Sequence, residues 1–183
     1  MAYPSFDKLE EVRKGYLDLY HEYWLNNVLF SFDWWLLLTI SIVPWIIWWK
    51  IVDKSKLTQI VLYGFFVSME AVLLDIFLTN LIKWGYQSTF IYLLQPISSP
   101  YDLSFLPVVF MLIYQKFAKW KGYLITCISV SAVLTFILEP LLDWMNIIKK
   151  YNISFFYLFL FYTLIAISSK WIVAKIAAGA YEK

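Results

Sequence analysis

Residues 123–144 read YLITCISVSAVLTFILEPLLDW, and this stretch decides the fold. At about 1.5 Å per residue it is long enough to cross a hydrocarbon layer of about 30 Å as one helix. Its polar residues are ordered: Cys127, Ser131, Thr135, Glu139 and Asp143 recur at every fourth position, a row on one helix face. Carboxylates are costly in hydrocarbon, and Pro140 cannot donate to the Phe136 carbonyl. Glu139-Pro140 therefore marks a site rather than filler.

Composition extends that reading to the whole chain. Of 183 residues, 62% are hydrophobic, 21% aromatic and 15% charged, and mean hydropathy is +0.66. Such a chain buries its apolar surface in lipid, and its length suits one polytopic domain. The single cysteine, Cys127, excludes an intramolecular disulfide. The single histidine, His21, lies outside every apolar run, which argues against haem and against a His-based zinc site. No cofactor is expected, and whether a metal binds stays open. The lysines are dispersed among loops, so nucleic acid is not an expected partner. Residues 1–30 carry charge throughout and do not read as a cleavable signal.

The expected architecture is all-α: a polytopic bundle of about five transmembrane helices (33–183) behind an N-terminal amphipathic helix (1–32). In that helix Phe6, Leu9, Val12, Tyr16, Tyr20 and Tyr23 recur at helical spacing. Spans are predicted near 34–51, 57–82, 102–117, 123–144 and 153–169. Trp34-Trp35 and Trp48-Trp49 anchor the first at both interfaces, and Pro44 should kink it. Thr89–Leu94 is too short to span and suits an interfacial element. Ser99-Pro100-Tyr101-Asp102 reads as a capping box opening the third span, with Pro107 bending it. Lys170 and Lys175 are expected to stop the fifth.

Basic residues set the orientation. Lys50, Lys54, Lys56, Lys116, Lys119, Lys121, Lys170, Lys175 and Lys183 fall on one side of a five-span topology; Lys83, Lys149 and Lys150 fall on the other, with Lys8, Arg13 and Lys14 far from the first span. The positive-inside rule then predicts the N-terminus outside and the C-terminus cytoplasmic. Asp75, Asp102, Glu139 and Asp143 all fall towards the outer leaflet. On the second span Gly64, Ser68, Asp75 and Thr79 share a face within about 60°, at 100° per residue, a stripe suited to helix packing. Glu70 falls roughly opposite Asp75 and is not expected to share its pocket. With no Lys or Arg inside the apolar runs at that depth, negative charge should accumulate unless the acids take protons. Each acid also has a purely structural reading: Asp102 as a helix cap, Asp143 among headgroups beside Lys149, Asp75 and Glu139 as helix-to-helix contacts.

Several elements recur together as a pattern: Phe32-Asp33-Trp34-Trp35, Pro44-Trp45-Ile46, Asp75, Pro100-Tyr101-Asp102-Leu103, Leu106-Pro107-Val108, Tyr114-Gln115 and Phe136-Ile137-Leu138-Glu139-Pro140. In this order they resemble a family of small, multi-pass, uncharacterised membrane proteins of endospore-forming Gram-positive bacteria. The resemblance runs from about Trp24 to Trp171, and Pro-Tyr-Asp and Glu-Pro are its most specific parts. It implies a bacterial plasma membrane and singles out Asp75, Asp102, Glu139 and Pro140. It brings no reaction with it. Lys149-Lys150-Tyr151-Asn152 departs from the Tyr or His-Trp that usually precedes the family's last span.

The leading functional expectation is an outward-facing acidic cavity that binds a cation, an amine or a lipid headgroup, in a sensing, immunity or transport role. Its candidate ligands are Asp75, Asp102, Glu139, Asp143, Tyr101 and Thr135, with Pro44, Pro107 and Pro140 shaping the helices. Tyr101, Trp144 and Tyr157 offer aromatic faces for a quaternary amine. A structural subunit of a larger membrane complex is the alternative, and a membrane-embedded enzyme on lipid or isoprenoid substrates the third reading. Partners beyond the bilayer would be a small ligand, further copies of the chain or other membrane proteins.

Overall fold

The computed structural model describes residues 3–181; Lys183, one of the lysines in the charge argument, lies outside them. The chain is helical, and four helices are long and apolar enough to cross a membrane: Phe32–Ile51, Lys54–Asn80, Trp120–Trp144 and Phe155–Gly179. In chain order the helices are α1 (Phe6–Asn27), α2 (Phe32–Ile51), α3 (Leu57–Asn80), α4 (Leu106–Lys116), α5 (Trp120–Val133), α6 (Glu139–Trp144) and α7 (Phe155–Tyr181). Two short strands, β1 (Trp84–Tyr86) and β2 (Ile148–Lys150), interrupt this pattern. The outside of the bundle is apolar: Phe65, Leu73, Phe77, Ile125 and Ile137 are all exposed. Apolar surface on that scale is what a bilayer covers.

Sequence explains most boundaries. Ser31 caps α2 by accepting from the Trp34 amide at 3.3 Å, and α2 continues through Pro44 to Ile51. Asp53 caps the single 3₁₀ turn that follows, and its bonds from the Ser55 hydroxyl and amide hold its carboxyl below the usual range. α3 packs on α4 through Gly64, where an added Cβ would lie 2.5 Å from the Met111 sulfur. Further in, the Tyr63 and Tyr123 hydroxyls share a hydrogen bond of 2.7 Å, and Tyr123 donates to the Ala166 carbonyl at 2.6 Å. These two hydrogen bonds tie α3, α5 and α7 together.

Two π-helical turns break the α geometry. Tyr101–Phe105 leads into α4, and Leu134–Leu138 joins α5 to α6. In each case a proline follows closely, Pro107 or Pro140, at the start of the next α segment. A proline supplies no N–H, so the ladder is already broken there and the wider turn is accommodated.

The last helix does not stop at Lys170. α7 runs on past Lys175 because Lys170 is buried with its charge satisfied: its ammonium donates to the Phe117 and Ala118 carbonyls at 3.0 and 3.3 Å and lies 3.9 Å from the Tyr123 ring centre. It caps the C-terminal end of α4 from a neighbouring helix.

The two loops at the opposite end are joined. β1 pairs antiparallel with β2 in the register Trp84↔Lys150, Gly85↔Lys149 and Tyr86↔Ile148. Side chains alternate across a strand, so Trp84, Tyr86, Ile148 and Lys150 share one face of this ribbon. α1 docks on the loop after β1, not on the long helices. Tyr16 donates to Gln95 at 2.8 Å, Trp24 donates to the Thr89 carbonyl at 2.8 Å, and His21 stacks on Tyr92. Burial there pushes the Tyr20 phenol up to about 12, although its bond with Thr89 pulls the other way.

Both strands are entered through a left-handed residue, Ile82 (φ 53°) after α3 and Asn146 (φ 58°) after α6. Asparagine tolerates this region; a β-branched side chain is strained in it. Replacing the exposed Ile82 by asparagine should therefore stabilise the protein by about 1 kcal/mol, read as a higher melting temperature in detergent. A fall in melting temperature would show that Ile82 is held by contacts worth more than its strain.

Candidate functional site

Beneath the ribbon lies a small cavity of about 30 Å³, walled by α3, the π turn before α4, α6 and α7. Ala71, Leu74 and Ile165 make its apolar wall. Asp75, Asp102, Glu139, Tyr101 and Tyr162 bring the chemistry, and Trp84, Tyr86 and Ile148 close the top.

Asp75 is 3% exposed and richly bonded. Its Oδ1 accepts from the Trp84 indole at 2.6 Å and from the Tyr86 hydroxyl at 2.7 Å, with the Thr79 hydroxyl further off at 3.4 Å. Its Oδ2 accepts from the Ser98 amide at 2.8 Å. A buried carboxylate needs such donors, and here nearly all come from the loop that follows its own helix.

Glu139 is paired differently. Tyr162 on α7 donates to its Oε1 at 2.6 Å, and the Lys150 ammonium on β2 lies 3.4 Å from its Oε2. The expectation of acids without a basic neighbour fails here. Lys150 sits outside the apolar runs in sequence, but the ribbon folds it back over the cavity, where Glu139 is buried and Lys150 partly so. Nothing in the helical periodicity signals this, because the strand register sets it.

Asp102 completes the group. It is 5% exposed, its carboxyl lies within hydrogen-bond reach of that of Asp75, and with both ionised its Oδ2 has no donor. The helix opens at Ser99, after Ser98 rather than from a Ser99 cap, and places Asp102 on the cavity wall. The Tyr101 hydroxyl is likewise buried without a partner.

Four of the six candidate ligands thus meet: Asp75, Asp102, Glu139 and Tyr101. Two do not. Asp143 is exposed on the outer rim, in a shallow groove with Lys149 and Asn146. Thr135 is fully buried one turn below Glu139, outside the cavity lining. Trp144 and Tyr157 are exposed, so no aromatic cage forms around Tyr101. Glu70 faces elsewhere and accepts from Ser168 and Ser169 of α7. Three contributors were not legible as candidates: Lys150, Tyr162 and the Trp84/Tyr86 pair. Trp84 and Tyr86 stand at i and i+2, the strand spacing, which is the one signal that could have found them. Among the described residues, no three His, Cys, Asp or Glu side chains converge closely enough to hold a metal ion.

No protein-family model, curated protein or solved structure matches the chain.

The Lys150–Glu139 pair gives a sharp test. Lys150→Met leaves a buried carboxylate without its counter-charge and should cost about 3–5 kcal/mol. Adding Glu139→Gln should return most of that loss, measured by thermal unfolding in detergent. Additive losses in the double variant would mean that the two groups do not interact.

Proposed function

We propose that this is a five-span plasma-membrane protein whose outer cavity binds a small monovalent cation, in a sensing, immunity or transport role. The observation that carries the reading is the facing pair of Asp75 and Asp102 carboxyls on the cavity wall, in which the Asp102 Oδ2 finds no donor from this chain while both are ionised. An acceptor left unpaired in such a place is costly, and a cation or its bound water is what would satisfy it. Charge points the same way. Three carboxyl groups are held with a single ammonium, so neutrality needs further positive charge, as protons or as a bound ion.

Size narrows the ligand. A cavity of about 30 Å³ accommodates a water or a bare inorganic cation. An amine or lipid headgroup would require the β1–β2 ribbon to lift. The absence of a three-ligand cluster among the described residues favours a monovalent ion over a caged divalent one. Tyr101, Asp102 and Glu139, from the motifs that carry the family resemblance, all line this cavity, which fits a site shared across that family.

The fifth span is α4 with its leading π turn. The ribbon joins the segment after α3 to the segment after α6, so the chain between must travel away and return. Residues 101–116 advance about 24 Å, short for a hydrocarbon core but largely buried against α3. The alternative, a structural subunit, draws its support from Asp75, whose oxygens are already occupied by donors of this chain.

Two measurements test the proposal. Sodium or potassium chloride, against choline chloride at equal ionic strength, should stabilise the wild type by about 2.7 kcal/mol at a hundredfold excess over Kd, read as a rise in melting temperature. Asp102→Asn should abolish the rise while remaining folded; an undiminished rise in that variant sinks the cation reading. For topology, a cysteine at Asn152 should react with an impermeant maleimide from outside intact cells, against the buried Cys127 as background. Labelling only after lysis would reverse the orientation.

A further inference from the structure

We propose that one face of the α5–α6 rod is a proton path, leading from the outer cavity to the lysine–tyrosine cluster at the far end of the bundle. The path takes that cavity as its mouth, and to that extent it rests on the reading above.

The path follows the four-residue row. Tyr123, Cys127, Ser131 and Thr135 are 0% exposed and Glu139 is 6% exposed. Every member carries a heteroatom able to hold or pass a proton. The row is buried along its whole length, and nothing in helix packing requires five such side chains in succession.

The hydroxyls in the middle behave unlike their neighbours. A serine or threonine in an apolar helix normally satisfies itself by donating to the carbonyl four residues back. Thr39, Ser41, Thr126, Ser129 and Thr163 all do so, at 2.8–2.9 Å. Ser131 and Thr135 do not; both hydroxyls are buried without a partner. Each unpaired group costs about 1–3 kcal/mol, which a bridging water removes. The spacing suits water: four residues rise about 6 Å, close to the span of two hydrogen bonds of about 2.8 Å each. One water between successive side chains makes the row continuous.

Both ends have proton-handling groups in place. At the outer end Glu139 is held by Tyr162 and Lys150. At the other end Tyr123 bonds Tyr63 and the Ala166 carbonyl, with Lys170 against its ring. The π turn Leu134–Leu138 lies across the junction of Thr135 and Glu139. Together with Pro140 it withdraws a helical donor from that stretch and leaves carbonyl acceptors for water.

The transfer is balanced. A proton leaving Glu139 binds a water oxygen, which releases one of its own protons to the Thr135 oxygen. That hydroxyl releases its original proton to the next water, and the same exchange repeats at the Ser131 oxygen and the Cys127 sulfur. Tyr123, one turn from the start of α5, takes the last proton on its oxygen and releases its own to water at that end of the bundle. Each oxygen or sulfur gains one bond to hydrogen and loses one, and only hydrogen moves.

Liposomes carrying the purified protein and a trapped pH dye, driven by a valinomycin-clamped potassium potential, test this. The wild type should change internal pH several-fold faster than protein-free liposomes. Ser131→Ala combined with Thr135→Val should fall to the protein-free rate, whereas Thr135→Ser and the off-row Thr126→Val should match the wild type. Near-UV circular dichroism confirms folding; if the double variant does not fold, Ser131→Ala alone decides by the same two rates. A wild type no faster than empty liposomes, or a folded row variant at the wild-type rate, overturns the path. The salt-dependent stabilisation of the wild type is read separately, so a lost path and a lost cation site are distinguishable.

Discussion

The Asp75 carboxylate organises the half of the molecule that carries the ribbon. It is buried in α3, and leaving water obliges it to collect donors. Its own helix offers only the distant Thr79 hydroxyl, so the donors come from the segment that follows: Trp84, Tyr86 and the Ser98 amide. The loop from Lys83 to Ser98 is thereby drawn back over the bundle. Once Trp84 and Tyr86 face inward, the ribbon register places Ile148 and Lys150 beside them, and Lys150 reaches Glu139. One desolvated group thus dictates the roof of the cavity and, through the roof, the partner of the second acid.

The roof is also the point at which α1 joins the molecule. Its tyrosines and Trp24 hold Thr89 and Gln95, and the same loop continues to Ser98 at the cavity. α2 grips that loop from the other side, where Ser88 donates to Asp33 and Trp34 donates to the Phe90 carbonyl. A segment held by α1, α2 and α3 together is a rigid cover, and its displacement would have to break contacts to all three. This is why cavity size is a meaningful guide to the ligand.

The long helices were legible because lipid imposes a strong, local rule: some twenty apolar residues between aromatic or basic ends. The grouping of Asp75, Asp102 and Glu139 was legible for a similar reason, since topology assigns each acid a depth from helix direction alone. What escaped the reading depends on tertiary register. Lys150 belongs to the cavity only because β2 pairs with β1, and strands of three residues leave almost no periodic trace. Asp143 failed for the opposite reason. It continues the four-residue row of Glu139, but the π turn and the short α6 carry the chain out of the bundle, leaving Asp143 on the rim. Lys170 looked like a helix stop because a charge in hydrocarbon is costly; the free carbonyls at the end of α4 and the Tyr123 face remove that cost.

Lys150 and Lys170 show how differently the two ends of the bundle handle a buried ammonium. Near the ribbon, Lys150 is neutralised by a formal charge, and the pair sits beside two further acids. At the other end Lys170 faces only carbonyl dipoles and aromatic rings, which solvate a cation without cancelling it. The field along α5 and α6 therefore runs from a negative end at the ribbon to a positive one at Lys170, and the polar row of that rod lies along it. A cation approaching from the ribbon end is attracted to the first region and repelled by the second. A bare ion is thus expected to stop in the cavity; a proton meets the same gradient, but passed from one heteroatom to the next it needs no open channel to continue.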